Sequence, residues 1–250
     1  MKIAVCFSGQ LRTWRKCIES WGGLINPQEG DQIDIFCHAW KSNSIPSPYL
    51  GENPHLSDID IEEKEINDLL DALKPKKFTM QKKIDFGWRE GSVIPVGPVI
   101  NQSYGICVAA SLKRDYEIEN DFIYDVAVRA RYDVRYTNNI YEAYSKIEPN
   151  KLATSWVEWN LKRNLWKTYI NDYVWMADSI SFDIISDLFR NLNTISRENF
   201  DVENKHCTPE AILSYYAKSN GINFQMLTHE LSAKLVRESE KFIRGANERI

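Results

Sequence analysis

Lys2-Ile3-Ala4-Val5-Cys6-Phe7-Ser8-Gly9-Gln10-Leu11-Arg12-Thr13 opens the chain with an apolar run that stops at a small polar turn. Residues 2–7 read as a buried strand. Trp14, Cys17, Ile18, Trp21 and Leu24/Ile25 then recur at helical spacing, which predicts a helix over 14–25. A strand running through small residues into a helix is how many α/β proteins place backbone amides near a phosphate or a base. Ser8-Gly9 alone also occurs in α/β domains that bind nothing there. Its weight comes from a second polar cluster at the end of another core strand, Arg129-Ala130-Arg131-Tyr132-Asp133.

Between these two stretches the pattern alternates. Gln32–Trp40 reads as a second strand, 61–73 as an acidic helix stopped by Pro75, and 76–82 as a strand. Gln102–Glu119 is a helix with Gly105, Val108, Ala109, Leu112 and Tyr116 on one stripe, and 121–131 is a strand with Asp133 at its exit. Lys41–Ser57 and 84–101 are rich in Gly, Pro, Ser and Asn and read as long surface loops. Later come a mixed segment near 152–159, an apolar run Tyr173–Ala177 and helices at 181–192 and 209–219. A strand at 223–227 and a terminal helix at 230–244 close the chain. Strands alternating with helices predict an α/β fold with a mostly parallel, Rossmann-like sheet flanked by helices. No linker divides the 250 residues, so one domain is expected, with 1–135 and 136–250 as its two parts.

Composition excludes several classes. A formal charge of −4 argues against nucleic-acid binding through a basic surface. Five cysteines, odd in number and without a C-x-x-C pair, suit reduced thiols better than a disulfide framework or a zinc site. No signal peptide precedes the first strand, and no run approaches the ~20 apolar residues of a membrane span, so a soluble, cytoplasmic protein is expected. P-loop, G-x-G-x-x-G, H-E-x-x-H and G-x-S-x-G patterns are all missing, which removes P-loop kinases, dinucleotide oxidoreductases, zincins and α/β-hydrolases.

If the strand persists through Asp133, then Arg129, Arg131 and Asp133 share one face. Burying two arginines there is costly without anionic partners. One reading is an internal ion pair, with Asp125 or Asp178. The other is a site at the carboxyl edge of the sheet, where the arginine fork suits a diphosphate and Asp133 holds a divalent cation or a sugar hydroxyl.

The opening strand ending in Ser8-Gly9-Gln10-x-Arg12, the strand ending His38-Ala39-Trp40, the helix start Asn101-Gln102-Ser103-Tyr104 and Arg129-x-Arg131-x-Asp133 together resemble GT-A-type glycosyltransferases. Within that group the chain looks like the uncharacterised sugar-transferase-like proteins of phages, large viruses and bacterial polysaccharide clusters. The resemblance covers roughly residues 1–230. It implies a nucleotide-diphosphosugar donor held by Ser8, Gly9, Gln10, Arg12, His38, Gln102, Arg129, Arg131 and Asp133, and a glycan-type acceptor. It also implies Mn²⁺ or Mg²⁺ on Asp133 with help from His229. Here the sequence departs from the family, because the Asp-x-Asp metal motif reads Arg131-Tyr132-Asp133. Arg131 replacing the cation is therefore an open alternative.

Glu210 and Asp178 are the candidate bases. Glu210 follows Thr208-Pro209, a string that helix capping alone explains; as a base it would take the acceptor proton. Asp178-Ser179 ends an apolar run before a helix, where a serine cap is the other reading. His38 either contacts the nucleotide or completes a buried hydrogen-bond network. Trp156, Trp159 and Trp166 read as core packing or as a stacking surface for a sugar.

Overall fold

The computed structural model describes residues 1–43, 59–84, 98–136, 140–155, 171–195 and 209–236. The strands are β1 (Lys2–Gly9), β2 (Gln32–Trp40), β3 (Ser42–Asn43), β4 (Ile59–Asp60), β5 (Lys77–Gln81), β6 (Val126–Ala130) and β7 (Val134–Tyr136). They continue with β8 (Lys151–Thr154), β9 (Trp175–Ala177), β10 (Asn223–Met226) and β11 (Ala233–Leu235). The helices are α1 (Trp14–Cys17), α2 (Gly22–Ile25), α3 (Glu63–Leu73), α4 (Pro98–Glu119) and α5 (Ile140–Tyr144). After these come α6 (Ser179–Ser186), α7 (Leu188–Asn191) and α8 (Pro209–Ser219).

Among the described residues, seven strands form one sheet in the order β10-β8-β9-β6-β1-β2-β5. β1 pairs in parallel with both β2 and β6, β2 with β5, and β8 with β10. β9 alone runs the other way, antiparallel to β6 and β8. The expected α/β class and mostly parallel sheet are thus the observed ones. The sheet takes strands from both the 1–135 and the 136–250 parts.

Period-two alternation builds two cores from the same strands. Ile3, Val5 and Phe7 of β1 face Trp14, Trp21, Leu69, Leu73 and Tyr144. Ala4 and Cys6 face the other way, onto Ile106, Ala109, Ala110, Phe182, Ile185 and Ile212. Small residues in the middle of α4 let that long helix lie against β1 and β2. A Cβ added at Gly105 would sit 3.0 Å from Nδ1 of His38.

Some elements differ from the sequence reading. The helix expected over 14–25 is broken by a 3₁₀ turn at Ile18–Trp21. The strand expected over 121–131 begins only at Val126. The terminal helix expected from 230 gives way to β11, because Ala233–Leu235 pairs with β7 and the Val236 amide donates to the Asp133 carbonyl at 2.8 Å. Much of the two long loops, and the rest of the terminal segment, lie outside the described residues. Among the described residues no helix is long and apolar enough to cross a membrane.

Candidate functional site

From β1 the chain moves outward through β2 and β5, then returns to β6 on the other side of β1. Strand order therefore reverses between β1 and β6, and α/β sheets bind ligands at the carboxyl ends of the strands at such a point. The pairing shows where the strands part. β1 stays registered with β2 up to Gly9–Ala39, but its pairing with β6 ends at Phe7–Ala130. Beyond that level Gly9–Arg12 and Arg131–Asp133 face each other.

The β1 loop is built for this edge. Gly9 has φ +131°, where a side chain is disfavoured. Arg12 is held at φ 39°, an uncommon left-handed position for a non-glycine residue. That turn brings its Nε to the Gln10 side-chain oxygen at 2.6 Å and its Nη1 to Asp133 at 3.2 Å. Leu11 anchors the loop in the core, and the Thr13 hydroxyl donates to the Val236 carbonyl.

Arg131 is the strut of the cluster. Its Nε and Nη2 donate to the two Asp133 oxygens at 2.8 and 2.9 Å, and its Nη1 to Asp172 at 2.8 Å. Gln102, in the first turns of α4, donates to the same Asp172 oxygen at 3.2 Å. Burial works against the Arg131 charge, but Asp133 and Asp172 outweigh it and hold its proton more tightly than usual. The internal ion-pair reading therefore holds for Arg131, with Asp133 and Asp172 as partners in place of Asp125 or Asp178.

Arg129 is different. It is 2% exposed, and its Nη1 reaches the Tyr173 carbonyl at 3.2 Å. Its Nε is buried with no hydrogen-bond partner, and among the described residues no carboxylate lies within ion-pair distance of it. Burial, then the Arg131 charge, pull its pKa down to about 10.

Ser8 is buried at the end of β1, beside His38 in register. His38 is wholly buried, with its ring edge-on to Trp40 and Tyr104 and both ring nitrogens unpartnered. Burial pulls its pKa down to about 4, so it is neutral at pH 7. The sequence reading of His38 as part of a buried hydrogen-bond network does not match this. It lies under Gly105, and its ring completes no hydrogen-bond network among the described residues.

The reversal of β9 corrects the placement of Asp178. Ala177 lies opposite Ala127, at the start of β6, so Asp178 sits roughly 10 Å or more along the strand from Ala130, at the other edge of the sheet. Its carboxylate accepts from the Ser181 amide and hydroxyl and from the Asn150 amide. It is the N-cap of α6, a role the sequence reading had given to a serine. The same reversal brings the beginning of that segment, Asn171-Asp172-Tyr173, to the site. Asp172 was missed in the sequence because a strand's sense is not written in its apolar pattern; the acidic residue just before the run was the available signal.

Glu210 lies in the first turn of α8. That helix leads into β10, which is parallel to β8, so its N-terminus comes to the carboxyl edge where Asp133 lies. His229 is exposed in the turn after β10, next to Glu230, which pairs with Lys146. Among the described residues no three metal-ligating side chains come together. Both Asp133 oxygens accept from guanidinium groups, and the carboxylate is 3% exposed. As arranged, these residues do not fit a divalent cation. Trp156, Trp159, Trp166 and Thr208 lie outside the described residues.

Neither a family model nor a curated protein matches this sequence. Among solved structures, the chain is similar to a glycosyltransferase involved in the glycosylation of the major capsid of PBCV-1. The likeness covers 91% of this chain and 83% of the other, at 10% identity and a TM-score of 0.39. A likeness of that size leaves the site to be read from its own residues.

Proposed function

We propose that the protein is a glycosyltransferase that moves a sugar from a nucleotide-diphosphosugar to an acceptor hydroxyl of glycan type. The observation that supports this most is the polar crevice at the switch point, where Gln10 and Arg12 meet Arg131, Asp133 and Asp172. The nucleotide lies over the Gly9–Arg12 loop and the diphosphate toward β6. The acceptor oxygen bonds to the anomeric carbon as the bond from that carbon to the phosphate oxygen breaks, and the departing diphosphate keeps the electron pair. Guanidinium groups already in place stabilise the charge that grows there. In an inverting reaction Glu210, at the same edge, takes the acceptor proton. A retaining reaction needs no such base.

A second reading is a nucleotide-sugar binding protein of this fold without transfer. The commitment of Asp133 to Arg12 and Arg131 favours it. A screen of radiolabelled UDP-, GDP- and CDP-sugars for binding, transfer and hydrolysis, with and without Mn²⁺, separates the two. Turnover of one donor is expected; binding without turnover leaves the second reading, and neither binding nor turnover sinks both.

A further inference from the structure

We infer that Arg129 is the anion-binding residue of this crevice, that it takes an oxyanion of the ligand without a divalent cation, and that Arg131 is a positioning residue. The inference rests on the nucleotide-diphosphosugar reading for the identity of the ligand, but not for the existence of the anion site.

Three guanidinium groups, Arg12, Arg129 and Arg131, meet two carboxylates, Asp133 and Asp172, at the ends of β1, β6 and β9. The pairing is uneven. Arg131 uses Nε, Nη1 and Nη2 on the two carboxylates, and Arg12 is tied to Gln10 and Asp133. Both carboxylates are thereby answered. Arg129 is left as a buried cation whose described hydrogen bond goes to a neutral carbonyl, that of Tyr173.

A buried charge without a counter-charge is expensive, and a fold retains one where something supplies the missing partner. The surroundings are short of acceptors as well as charge. Trp175, directly across from Arg129 in the β6–β9 register, also has a buried indole N–H with no partner. The Tyr173 carbonyl precedes β9 at the carboxyl edge, so the Arg129 head is directed toward that edge of the sheet. A phosphate oxygen fits this deficit, since it brings both the charge and the lone pairs. A divalent cation does not, because it would add positive charge beside three guanidinium groups and would have to displace Arg12 or Arg131 from Asp133.

Calorimetry with UDP, GDP, CDP and inorganic phosphate, each in EDTA and in Mn²⁺, tests this on wild type, Arg129→Met and Arg129→Lys. At least one nucleoside diphosphate should bind wild type equally well in EDTA and in Mn²⁺. Arg129→Met should weaken that binding on the order of 10- to 100-fold, the range of a charged hydrogen bond. Arg129→Lys, which keeps the charge and loses the fork, should fall between. Without ligand, Arg129→Met should melt above wild type, because an unanswered buried charge has been removed; a purely structural arginine would move the midpoint down. Binding that requires Mn²⁺, unchanged affinity in Arg129→Met, or a Met variant that is less stable or unfolded each overturns the inference. Should no nucleoside diphosphate bind while inorganic phosphate binds in EDTA and depends on Arg129, the anion site stands and the glycosyltransferase reading falls. If no anion binds, the anion site falls.

Discussion

Acidification from pH 7 to pH 5 pulls on the buried His38 and the partly buried Asp183 in opposite directions. His38 has its pKa lowered from 6.5 to about 4 by burial. The unfolded chain therefore takes up the proton first, and stability present above pH 6.5 is lost as the pH falls toward 4. Asp183, on α6, has its pKa raised from 3.8 to about 6, by burial first and against the pull of Lys113. Here the folded state holds the proton, so stability is recovered as the pH falls through 6 toward 3.8. Between pH 7 and pH 5 the His38 shift is worth a loss of about 2 kcal/mol and the Asp183 shift a gain of about 1 kcal/mol. In the wild type the gain offsets part of the loss. Separating them requires variants: His38→Leu removes the falling contribution and Asp183→Asn the rising one. Urea unfolding followed by tryptophan fluorescence at pH 7, 6 and 5 reads each profile. Relative to wild type, His38→Leu should gain about 2 kcal/mol on going to pH 5, and Asp183→Asn should lose about 1 kcal/mol. If the His38→Leu and wild-type profiles run parallel, the imidazole has a polar partner and is not held neutral by burial.

Other consequences can be measured on the same footing. Asp178→Ala should cost about 1 kcal/mol as a lost helix cap and leave nucleotide affinity and turnover unchanged; a hundredfold loss of turnover in a folded variant would restore Asp178 as a base. Gly105→Ala places a Cβ 3.0 Å from Nδ1 of His38. It should lower the melting temperature, by about 1–3 kcal/mol of overpacking against a helix-propensity gain of about 1 kcal/mol, and His38→Ala in the same chain should relieve it. Lys113 is wholly buried, bonded to Glu117 at 2.8 Å and 3.1 Å from Asp183. Lys113→Met leaves those carboxylates without their cation and should cost about 3–5 kcal/mol in urea unfolding. Lys113→Met combined with Glu117→Leu should recover part of that; no recovery would mean the two residues are not coupled.

Much of this molecule is legible in one dimension. Apolar runs of strand length alternating with helical stripes are enough to call for a mostly parallel sheet with two covered faces. Ser8–Arg12 and Arg129–Asp133 stand out as polar strand ends by their residue types alone. Capping chemistry at Pro209-Glu210 and the stop at Pro75 are equally local. What the sequence could not decide was which polar groups meet. The sense of β9 depends on pairing with β6 and β8, and an apolar run reads the same in either direction. That single reversal moves Asp178 to the far edge and brings Asp172 to the crevice. Likewise, three arginines look alike as letters, and only their distances to Asp133 and Asp172 separate two paired guanidinium groups from the unpaired one. Charge balance is a property of positions in space, so the tertiary structure alone decided that Arg129 is the guanidinium with no carboxylate partner among the described residues.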